Sequence, residues 1–481
     1  PDAGDALVET SWDLSGTGRL VAIGWASINP SDRIHDRSIA LIDTASGARR
    51  ELGRVPGVVH AAPRFGPDDL WLVAQRYLRS ADGYAHRSLW RYDLAADAAT
   101  DLTGTWDRWP APWAVSRASS TQTAILTTAE DRARTPLFAV DPDTGAATLL
   151  GPSDGSWDFV AAVPGQHAVV GVRSSLLAPP DLAHLDLATG VLTPLARLSG
   201  FTLDPATVAR VRELAVPVAA RADGTERTLQ AFLVEPVAPA DGHTPGNGRT
   251  LFWIHGGPVA SWSDHWHWRW SSLAMAARGY RVVLPNPSGS TGFGMDWVND
   301  IWGNTWGGRC YDDLMRTVAF LEAEHGLAAR DMVAMGGSFG GYMTNWIGGQ
   351  TDRFRLLVTH ASLFDMSAFH GVTDVPAWWE LMMGDHPWGG RDFDRYSPHR
   401  FVSHWKTPTL VLHGERDFRV PLGEGLALFE ALQRHGVPSE LAVFPDENHW
   451  ILKPRNIVAW YETVLDFFDR RWDDAPPSPT S

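Results

Sequence analysis

The segment Gly336–Gly340, with Ser338 at its centre, constrains the fold of this chain more than any other feature. The residues before it, 331–335, are mostly apolar and predict a short buried strand, and residues 341–347 predict a helix. A serine held in a sharp turn between a strand and a helix takes a strained backbone conformation, so its neighbours must be small. Such a turn lifts the hydroxyl clear of the sheet, at a helix N-terminus that stabilises negative charge. Ser338 is therefore predicted to be a nucleophile.

An acid and a histidine follow further along the chain, each just after a predicted strand. Residues 408–413 form an apolar run that precedes Asp417, and residues 441–444 form another that precedes His449. Loops that follow parallel strands meet at the carboxyl edge of the sheet, where open α/β folds keep their sites. The other histidine after Asp417, His435, ends a predicted helix, where a cationic side chain is ordinary capping. The order serine, acid, histidine is that of the α/β-hydrolase fold.

These three residues fit the roles of a catalytic triad. His449 would take the proton of Ser338 and later give it to the leaving group, while Asp417 fixes the imidazole tautomer and stabilises its cation. Taken singly, Asp417 also fits a loop acid paired with a neighbouring arginine, and His449 fits an ordinary loop histidine. Their order along the chain, with each residue at a strand end, favours catalysis.

Two loops are predicted to supply the backbone donors of an oxyanion hole. A strand at 251–254 runs into His255–Pro258, and glycines after such a strand let a backbone N–H face the reacting carbonyl. We assign one donor to Gly257 and the second to Phe339, directly after the nucleophile. An ordinary turn at 255–258 is the alternative. Loss of one such donor typically costs about 3–4 kcal/mol of transition-state stabilisation.

On these motifs the chain resembles the prolyl oligopeptidase family of serine peptidases. Five segments match the family's pattern: residues 255–258, 286–294, 306–308, 336–342 and 414–421. Within the family, residues 448–454 most resemble the branch of acylaminoacyl peptidases and related dipeptidyl peptidases. The resemblance covers residues 205–472 most strongly. Ser288 departs from the pattern, since relatives often have arginine in that loop.

The resemblance also implies substrate-binding residues. In relatives, an arginine two residues after the catalytic aspartate hydrogen-bonds a peptide carbonyl of the substrate, which implies this role for Arg419. A salt bridge from Arg419 to Asp417 or Glu415 is the alternative. Trp378 and Trp379 fall where family members place part of the first specificity pocket, and a large apolar pocket would suit hydrophobic side chains. Core packing is the alternative for both tryptophans.

No metal and no other cofactor is predicted. His265 and His267 lie in a tryptophan-rich stretch, residues 265–270, but two histidines at that spacing without a nearby acid pair are a poor metal site. Helix packing is the role predicted for this stretch. Cys310 is the only cysteine, which excludes an intrachain disulfide and a cysteine-based zinc site.

Residues 1–203 contain a repeat that predicts a β-propeller. Four alternating strands each end in an aspartate that is followed by a polar turn and another short strand, at Asp43, Asp93, Asp141 and Asp186. The aspartates are 50, 48 and 45 residues apart, close to the length of one four-stranded blade. A β-sandwich is the structural alternative, but a sustained period favours blades.

The resemblance implies a propeller of seven blades, and the repeat accounts for about four of them. We therefore predict that the chain is the C-terminal portion of a longer protein, with the remaining blades on a separate N-terminal fragment, disordered or lost. The predicted domains are the partial β-propeller at 1–203, a mainly parallel, doubly wound α/β-hydrolase at 204–472 and a flexible tail at 473–481. A short linking helix is predicted at 203–210.

Composition narrows the classes of partner. A formal net charge of −15 argues against nucleic acid or an anionic membrane, and no apolar run approaches the ~18 residues that span a bilayer. A chain with a single cysteine is compatible with a reducing cytoplasm, which is the predicted location. Closed assemblies that gate access are common in the family, so the resemblance is compatible with a homo-oligomer.

Together these features predict a serine peptidase that hydrolyses short peptides through an acyl-enzyme. The acylaminoacyl or dipeptidyl type, with a hydrophobic first pocket, is the expected one. The alternatives are a carboxypeptidase of the same family, a carboxylesterase with the same triad, and a non-catalytic propeller scaffold with a relic hydrolase domain. The repeat and Arg419 argue against the esterase, and an intact set of Ser338, Asp417 and His449 argues against the relic.

Overall fold

The structure, a computed structural model, describes residues 11–26, 37–80, 83–117, 123–200, 204–237, 248–303, 305–389 and 392–473. The chain divides into two compact units. Unit 1 comprises Pro1–Leu203 with the short segments Ser263–Trp266 and Gly292–Met295, and unit 2 comprises Asp204–Trp262, His267–Thr291 and Asp296–Ser481. The tail predicted at 473–481 lies, beyond its first residue, outside the described residues.

Unit 1 is built from antiparallel strands. In its described part the strands follow one another in four groups of four, and neighbours within each group pair antiparallel. A single parallel pair, Arg37 with Val59, joins the first two groups into one sheet. The groups are β1 (Trp12–Leu14), β2 (Leu20–Ala26), β3 (Arg37–Asp43) and β4 (Arg49–Leu52); β5 (Val58–Phe65), β6 (Trp71–Leu78), β7 (Ser88–Asp93) and β8 (Ala98–Asp101); β9 (Pro110–Arg117), β10 (Thr123–Ala129), β11 (Leu137–Val140) and β12 (Ala147–Leu150); and β13 (Ser156–Ala162), β14 (Ala168–Ser174), β15 (Asp181–Asp186) and β16 (Leu192–Ala196).

The repeating aspartates close the same turn in every group. The third strand of each group ends at or directly before its aspartate: Asp43, Asp93, Asp141 and Asp186. Oδ1 of each accepts two backbone N–H groups at 2.7–3.1 Å. These backbone donors hold the pKa of all four carboxyls below the ordinary range. The period read from the sequence therefore corresponds to one aspartate-capped turn per group of four strands.

The core of unit 1 lies between successive sheets. Strand β6 is buried on both faces, because alternate side chains of a strand point to opposite sides. Leu72 and Ala74 belong to a cluster with Ile39 and Leu41, whereas Trp71 and Val73 belong to a second cluster. The second cluster also contains Leu89, Ile125 and Val140. A strand covered on both faces accounts for the continuous apolar run at 71–74.

Unit 2 contains an eight-stranded sheet in the order β17-β18-β20-β19-β21-β22-β23-β24. Strands β17 and β18 pair antiparallel, β18 is antiparallel to β20, and all the remaining pairs are parallel. The inner parallel strands are buried along their whole length, which explains their apolar sequences. The strands are β17 (Ala209–Val218), β18 (Arg227–Pro236), β19 (Thr250–Ile254), β20 (Arg281–Asn286), β21 (Met332–Gly337), β22 (Leu356–His360), β23 (Thr409–Gly414) and β24 (Ser439–Phe444).

Helices alternate with the parallel strands of this sheet. Those that matter for the site are α4, which follows β21 directly, and α7, which follows the loop after β23. The α-helices are α1 (Ser272–Ala276), α2 (Met295–Asn299), α3 (Tyr311–His325), α4 (Phe339–Gln350), α5 (Met366–His370), α6 (Pro376–Met383), α7 (Leu422–Arg434) and α8 (Pro454–Arg471). In the described part of the chain, no helix is both long and apolar enough to cross a bilayer.

Two predicted helices are wrong. The linking helix at 203–210 is only a 3-10 turn, Pro205–Thr207, and Ala209 already begins strand β17, which sequence analysis missed. The tryptophan-rich stretch at 265–270 is not helical. A helix starts only at Ser272, because Ser271 caps it: its hydroxyl accepts the N–H of Ala274 at 3.2 Å.

Ser288, which departs from the family pattern, joins a buried ion pair. Its hydroxyl donates to Oδ2 of Asp313 at 2.6 Å, and its backbone N–H donates to the same oxygen at 3.0 Å. Arg227, on β18, contacts both oxygens of Asp313 at 3.1 and 3.2 Å and also donates to the hydroxyl of Ser288. The guanidinium lies 4.3 Å from the ring centroid of Trp297. In this chain the loop is therefore anchored by an arginine from a neighbouring strand.

Candidate active site

Ser338 lies in the sharp turn between β21 and α4, at φ 58° and ψ −122°. A positive φ is strained for a residue with a Cβ, and the turn is fixed because the Ser338 N–H donates to the carbonyl of His360 at 2.9 Å. A Cβ on Gly336 would lie 2.5 Å from the carbonyl carbon of Gly340, and one on Gly340 would lie 2.2 Å from the carbonyl oxygen of Ile254. The small neighbours are thus required, and the geometry is that of a nucleophile elbow.

Asp417 and His449 are joined by a hydrogen bond. Nδ1–H of His449 donates to Oδ2 of Asp417 at 2.7 Å, a direction fixed by the carboxylate, which only accepts. The other oxygen of Asp417 accepts the backbone N–H groups of Arg419 and Val420, both at 2.9 Å. The acid is fully buried and the imidazole is 16% exposed. This arrangement fixes the imidazole tautomer and leaves Nε2 as the basic nitrogen.

The loop that carries His449, residues 445–453, is shaped by two carboxylates. Glu447 is buried and accepts the backbone N–H groups of Leu452 at 3.1 Å and of Lys453 at 2.9 Å. Asp446 accepts from the ammonium of Lys453 at 2.6 Å, and this hydrogen bond is the largest cause of a pKa well below its ordinary value. The two ends of the loop that carries His449 are therefore joined by hydrogen bonds.

His413, on β23, supports the acid and was missed by sequence analysis. Its Nε2–H donates to the carbonyl of Val420 at 2.8 Å and lies 3.7 Å from Oδ2 of Asp417. Burial lowers the pKa of His413 more than the bond to Val420 and the charge of Asp417 raise it, so the ring is neutral at neutral pH. A Cβ on Gly425 of α7 would lie 2.6 Å from its Nδ1, so only glycine leaves room for this ring. No motif in the sequence singled out His413, although it lies only four residues before Asp417.

The two predicted oxyanion donors lie on segments that border Ser338. A Cβ on Gly256 would stand 3.5 Å from the Cβ of Ser338, so the loop after β19 runs beside the nucleophile. Gly257 has φ +123°, and a Cβ there would lie 2.7 Å from the backbone nitrogen of Val259. Phe339 is the first residue of α4, where backbone N–H groups have no partner within the helix.

Arg419 pairs with Asp374, a residue that the sequence did not single out. Its Nε lies 2.6 Å and its Nη2 lies 3.4 Å from the Asp374 carboxylate, and the side chains are 44% and 42% exposed. Asp374 is held beside it because its backbone N–H donates to the carbonyl of Phe418 at 3.0 Å. An exposed pair of this kind contributes only about 0–1 kcal/mol, so the guanidinium can exchange Asp374 for another acceptor.

Trp379 and Trp378 lie on α6 in an aromatic cluster that reaches the nucleophile turn. Trp379 is buried and meets Trp306 edge to face at 5.4 Å between centroids. Trp306 in turn meets Phe339, directly after Ser338, at 5.1 Å. Trp378 is half-buried and packs against Trp379 at 4.5 Å. The cluster places both tryptophans in a continuous apolar wall that ends at the elbow.

Two further side chains pack around the elbow. Trp270 lies against Gly337, where a Cβ would come within 2.3 Å of its indole, and it meets the ring of His360 edge to face at 5.8 Å. Burial lowers the pKa of His360 well below its ordinary value, so this ring is neutral. The sequence offered one signal for Trp270, its place in the tryptophan-rich stretch.

Groups that could hold a metal ion were also sought. Within the described ranges, Asp365, Asp394 and His399 place one ligand atom each within 4.8 Å of one another. Asp365 already caps α5, accepting the N–H groups of Ser367 and Ala368. None of the three belongs to the predicted site, and His265 instead pairs with Asp158 at 3.0 Å within unit 1.

A mainly parallel sheet with a nucleophile elbow, an acid and a histidine after three of its strands defines an α/β-hydrolase fold. Residues 266–474 match the model of the prolyl oligopeptidase family. The second unit of this chain therefore carries a domain of the prolyl oligopeptidase family.

Comparisons with individual proteins agree with this assignment. The chain is 33% identical over 325 residues to a dipeptidyl-peptidase 5 of Porphyromonas endodontalis, covering 66% of this chain and 46% of the relative. It is 39% identical over 266 residues to a dipeptidyl-peptidase 5 of Arthroderma otae, covering 52% of this chain and 34% of the relative. The chain thus spans less than half the length of either relative.

Among solved structures, an acylaminoacyl peptidase of Pyrococcus horikoshii superposes with a TM-score of 0.80 at 19% identity. The match covers 96% of this chain and 70% of that one. At this identity the likeness shows a shared fold alone.

Proposed function

We propose that this chain is the catalytic portion of a serine peptidase that hydrolyses short peptides through an acyl-enzyme. The observation that carries the proposal is the strained elbow of Ser338 together with the 2.7 Å hydrogen bond from His449 to the buried Asp417. The family of the domain and the names of the two dipeptidyl peptidases support peptides as substrates.

In the proposed mechanism, Nε2 of His449 takes the proton of Ser338 as its oxygen attacks the peptide carbonyl. The negative charge on the tetrahedral intermediate is stabilised by the N–H groups of Gly257 and Phe339 and by the N-terminus of α4. His449 then protonates the leaving amine, and Asp417 stabilises the imidazolium throughout. A water molecule, activated by the same imidazole, hydrolyses the acyl-enzyme and restores the hydroxyl.

The names of the relatives favour one type of peptidase. The dipeptidyl-peptidase names, with the resemblance of residues 448–454 to the acylaminoacyl peptidase branch, favour cleavage near the N-terminus of a short peptide, with Arg419 on a substrate carbonyl and Trp378 and Trp379 beside a hydrophobic first pocket. A carboxypeptidase of the same family is the second candidate, with the half-exposed Arg419 as the cation for the terminal carboxylate. A carboxylesterase would use the same triad without needing Arg419.

The proposal for unit 1 is a partial β-propeller. Four successive groups of four antiparallel strands, each with an aspartate-capped turn, support four blades. A propeller would limit access to short or unfolded peptides. A separate N-terminal fragment, a homo-oligomer and a cytoplasmic location remain predictions from the sequence and the resemblance.

The proposal is tested with one decapeptide of hydrophobic interior, in free, N-acetylated and C-amidated forms. Products are followed by mass spectrometry beside the Ser338→Ala variant. Cleavage by the wild type and its loss in the variant are expected. The masses of the products show which terminus of the peptide determines the cleavage site. Equal inertness of both folded proteins, or equal cleavage by both, would overturn the proposal.

A further inference from the structure

Arg269 lies beside the candidate active site without a role in the mechanism described above. Its guanidinium carbon is 4.3 Å from the ring centroid of Trp450 and 5.0 Å from that of Trp270. Cation–π contacts with two indoles hold a guanidinium in one place and remove part of its hydration. The side chain of Arg269 is therefore held in one position by these contacts.

This cation has no acidic partner among the residues that the structure describes. Among the described residues no carboxylate influences the pKa of Arg269, and its Nη1 is buried without a hydrogen-bond acceptor. Burial alone lowers the pKa of Arg269 to about 10, with no carboxylate opposing it, so the group still carries its charge at neutral pH. A buried donor without an acceptor is destabilising, and a ligand that accepts from it removes that destabilisation.

The two indoles connect Arg269 to both halves of the proposed machinery. Trp270 packs on Gly337, the residue before Ser338, and Trp450 directly follows His449 and is 51% exposed. The charge of Arg269 also reaches His360, where it contributes to the lowered pKa of that ring after burial and the neighbouring histidines. The guanidinium therefore contacts both Trp270, which packs beside the nucleophile turn, and Trp450, which follows the base.

We infer that Arg269 binds the terminal α-carboxylate of short peptide substrates, an assignment that rests on the proposed peptidase function. A carboxylate suits the group because guanidinium presents paired N–H donors in one plane that match two oxygens. A neutral peptide carbonyl would leave the charge of a partly desolvated cation uncompensated. The α-carboxylate is the expected source, because in a short substrate it lies within a few residues of the scissile bond.

The test compares acetyl-Phe-Ala as the free acid, the same peptide as its C-terminal amide, and acetyl-Phe-Asp amide. For the wild type, kcat/KM is expected to be about 10- to 100-fold higher for the free acid than for the amide, mainly because the free acid has the lower KM. Arg269→Gln should remove this preference by slowing the acid alone, and Arg269→Lys should restore part of it. Arg278→Gln, at an exposed arginine nine residues further along the chain, is the matched control and should leave the preference unchanged.

Three results would overturn the inference. They are a wild-type preference near one, an equal loss on acid and amide in Arg269→Gln, and an Asp amide that serves as well as the free acid. The last would place the recognised carboxylate on a side chain.

A binding measurement separates this inference from the peptidase proposal. Calorimetry with the Ser338→Ala variant, with and without Arg269→Gln, needs no turnover. Tighter binding of the free acid that depends on Arg269 supports the carboxylate site even if no peptide is cleaved. Equal binding of acid and amide to the single variant refutes it even if the wild type cleaves both.

Discussion

Glu424 gives a stability prediction whose magnitude can be worked from the structure. This glutamate lies in the first turn of α7 with 4% of its surface exposed, and its Oε2 accepts the N–H groups of Phe364 at 2.7 Å and Asp365 at 2.9 Å. Burial raises its pKa from 4.5 to about 7, with a smaller contribution from the charge of Asp365, against the lowering effect of the two N–H donors. The folded chain therefore holds a proton on Glu424 at pH values where the unfolded chain has lost it.

This difference sets the direction in which the stability of the fold changes with pH. Below about pH 4.5 Glu424 is protonated in both the folded and the unfolded state. Between about pH 4.5 and 7 the free energy of unfolding falls as pH rises, because the unfolded state has released this proton and the folded state still holds it. A shift of this size corresponds to about 3 kcal/mol at pH 8, at 1.36 kcal/mol per pKa unit. Glu424→Gln keeps an oxygen acceptor for both N–H groups but carries no charge. The variant should therefore match the wild type near pH 4.5 and exceed it by up to about 3 kcal/mol at pH 8.

Thermal unfolding from pH 5 to pH 8 measures this difference. A gain of about 3 kcal/mol should raise the midpoint of the transition that reports unit 2 by about 5–10 °C at pH 8. Glu430→Gln is the matched control, since it lies on the same helix, is exposed and pairs with Arg434. A variant-minus-wild-type difference that is flat across the pH range, or negative at pH 8, would refute the reasoning.

Three further changes have expected outcomes. Asp417→Asn keeps an oxygen for the backbone donors but loses the carboxylate on His449, so kcat should fall about 10⁴-fold without loss of the fold, as measured by peptide hydrolysis and circular dichroism; a loss below tenfold contradicts the triad. His413→Leu should lower kcat about 10²-fold at unchanged KM by loosening the Asp417 loop, with partial recovery in His413→Gln; a change confined to KM would refute a positioning role. Gly340→Ala, whose Cβ would lie 2.2 Å from a backbone oxygen, should destabilise by about 2–3 kcal/mol in urea unfolding, whereas Gly423→Ala, with nothing within 4 Å, should not.

The elements of unit 2 that carry the site were readable from the sequence because buried parallel strands are apolar along their length. Strands β19 and β23 were predicted at 251–254 and 408–413, each within one residue of its observed bounds. Strand β17 was missed because it lies at the edge of the sheet and has no continuous apolar run, and because residues 203–210 were assigned to a linking helix.

Contacts between distant segments could not be predicted in the same way. The partner of Arg419 is Asp374, 45 residues earlier, a contact that no local spacing displays. The support of Asp417 by His413 spans only seven residues, to the carbonyl of Val420, but it depends on the path of the loop after β23. The aspartate repeat of unit 1 was readable because each aspartate caps a turn within three residues of itself.

Reaction with a fluorophosphonate tests the central claim most directly. Intact mass and peptide mapping of the folded protein should show a single adduct on Ser338, absent from Ser338→Ala and formed far more slowly in His449→Ala. An unlabelled wild type with intact fold, or an adduct that persists on another residue in Ser338→Ala, would contradict the account.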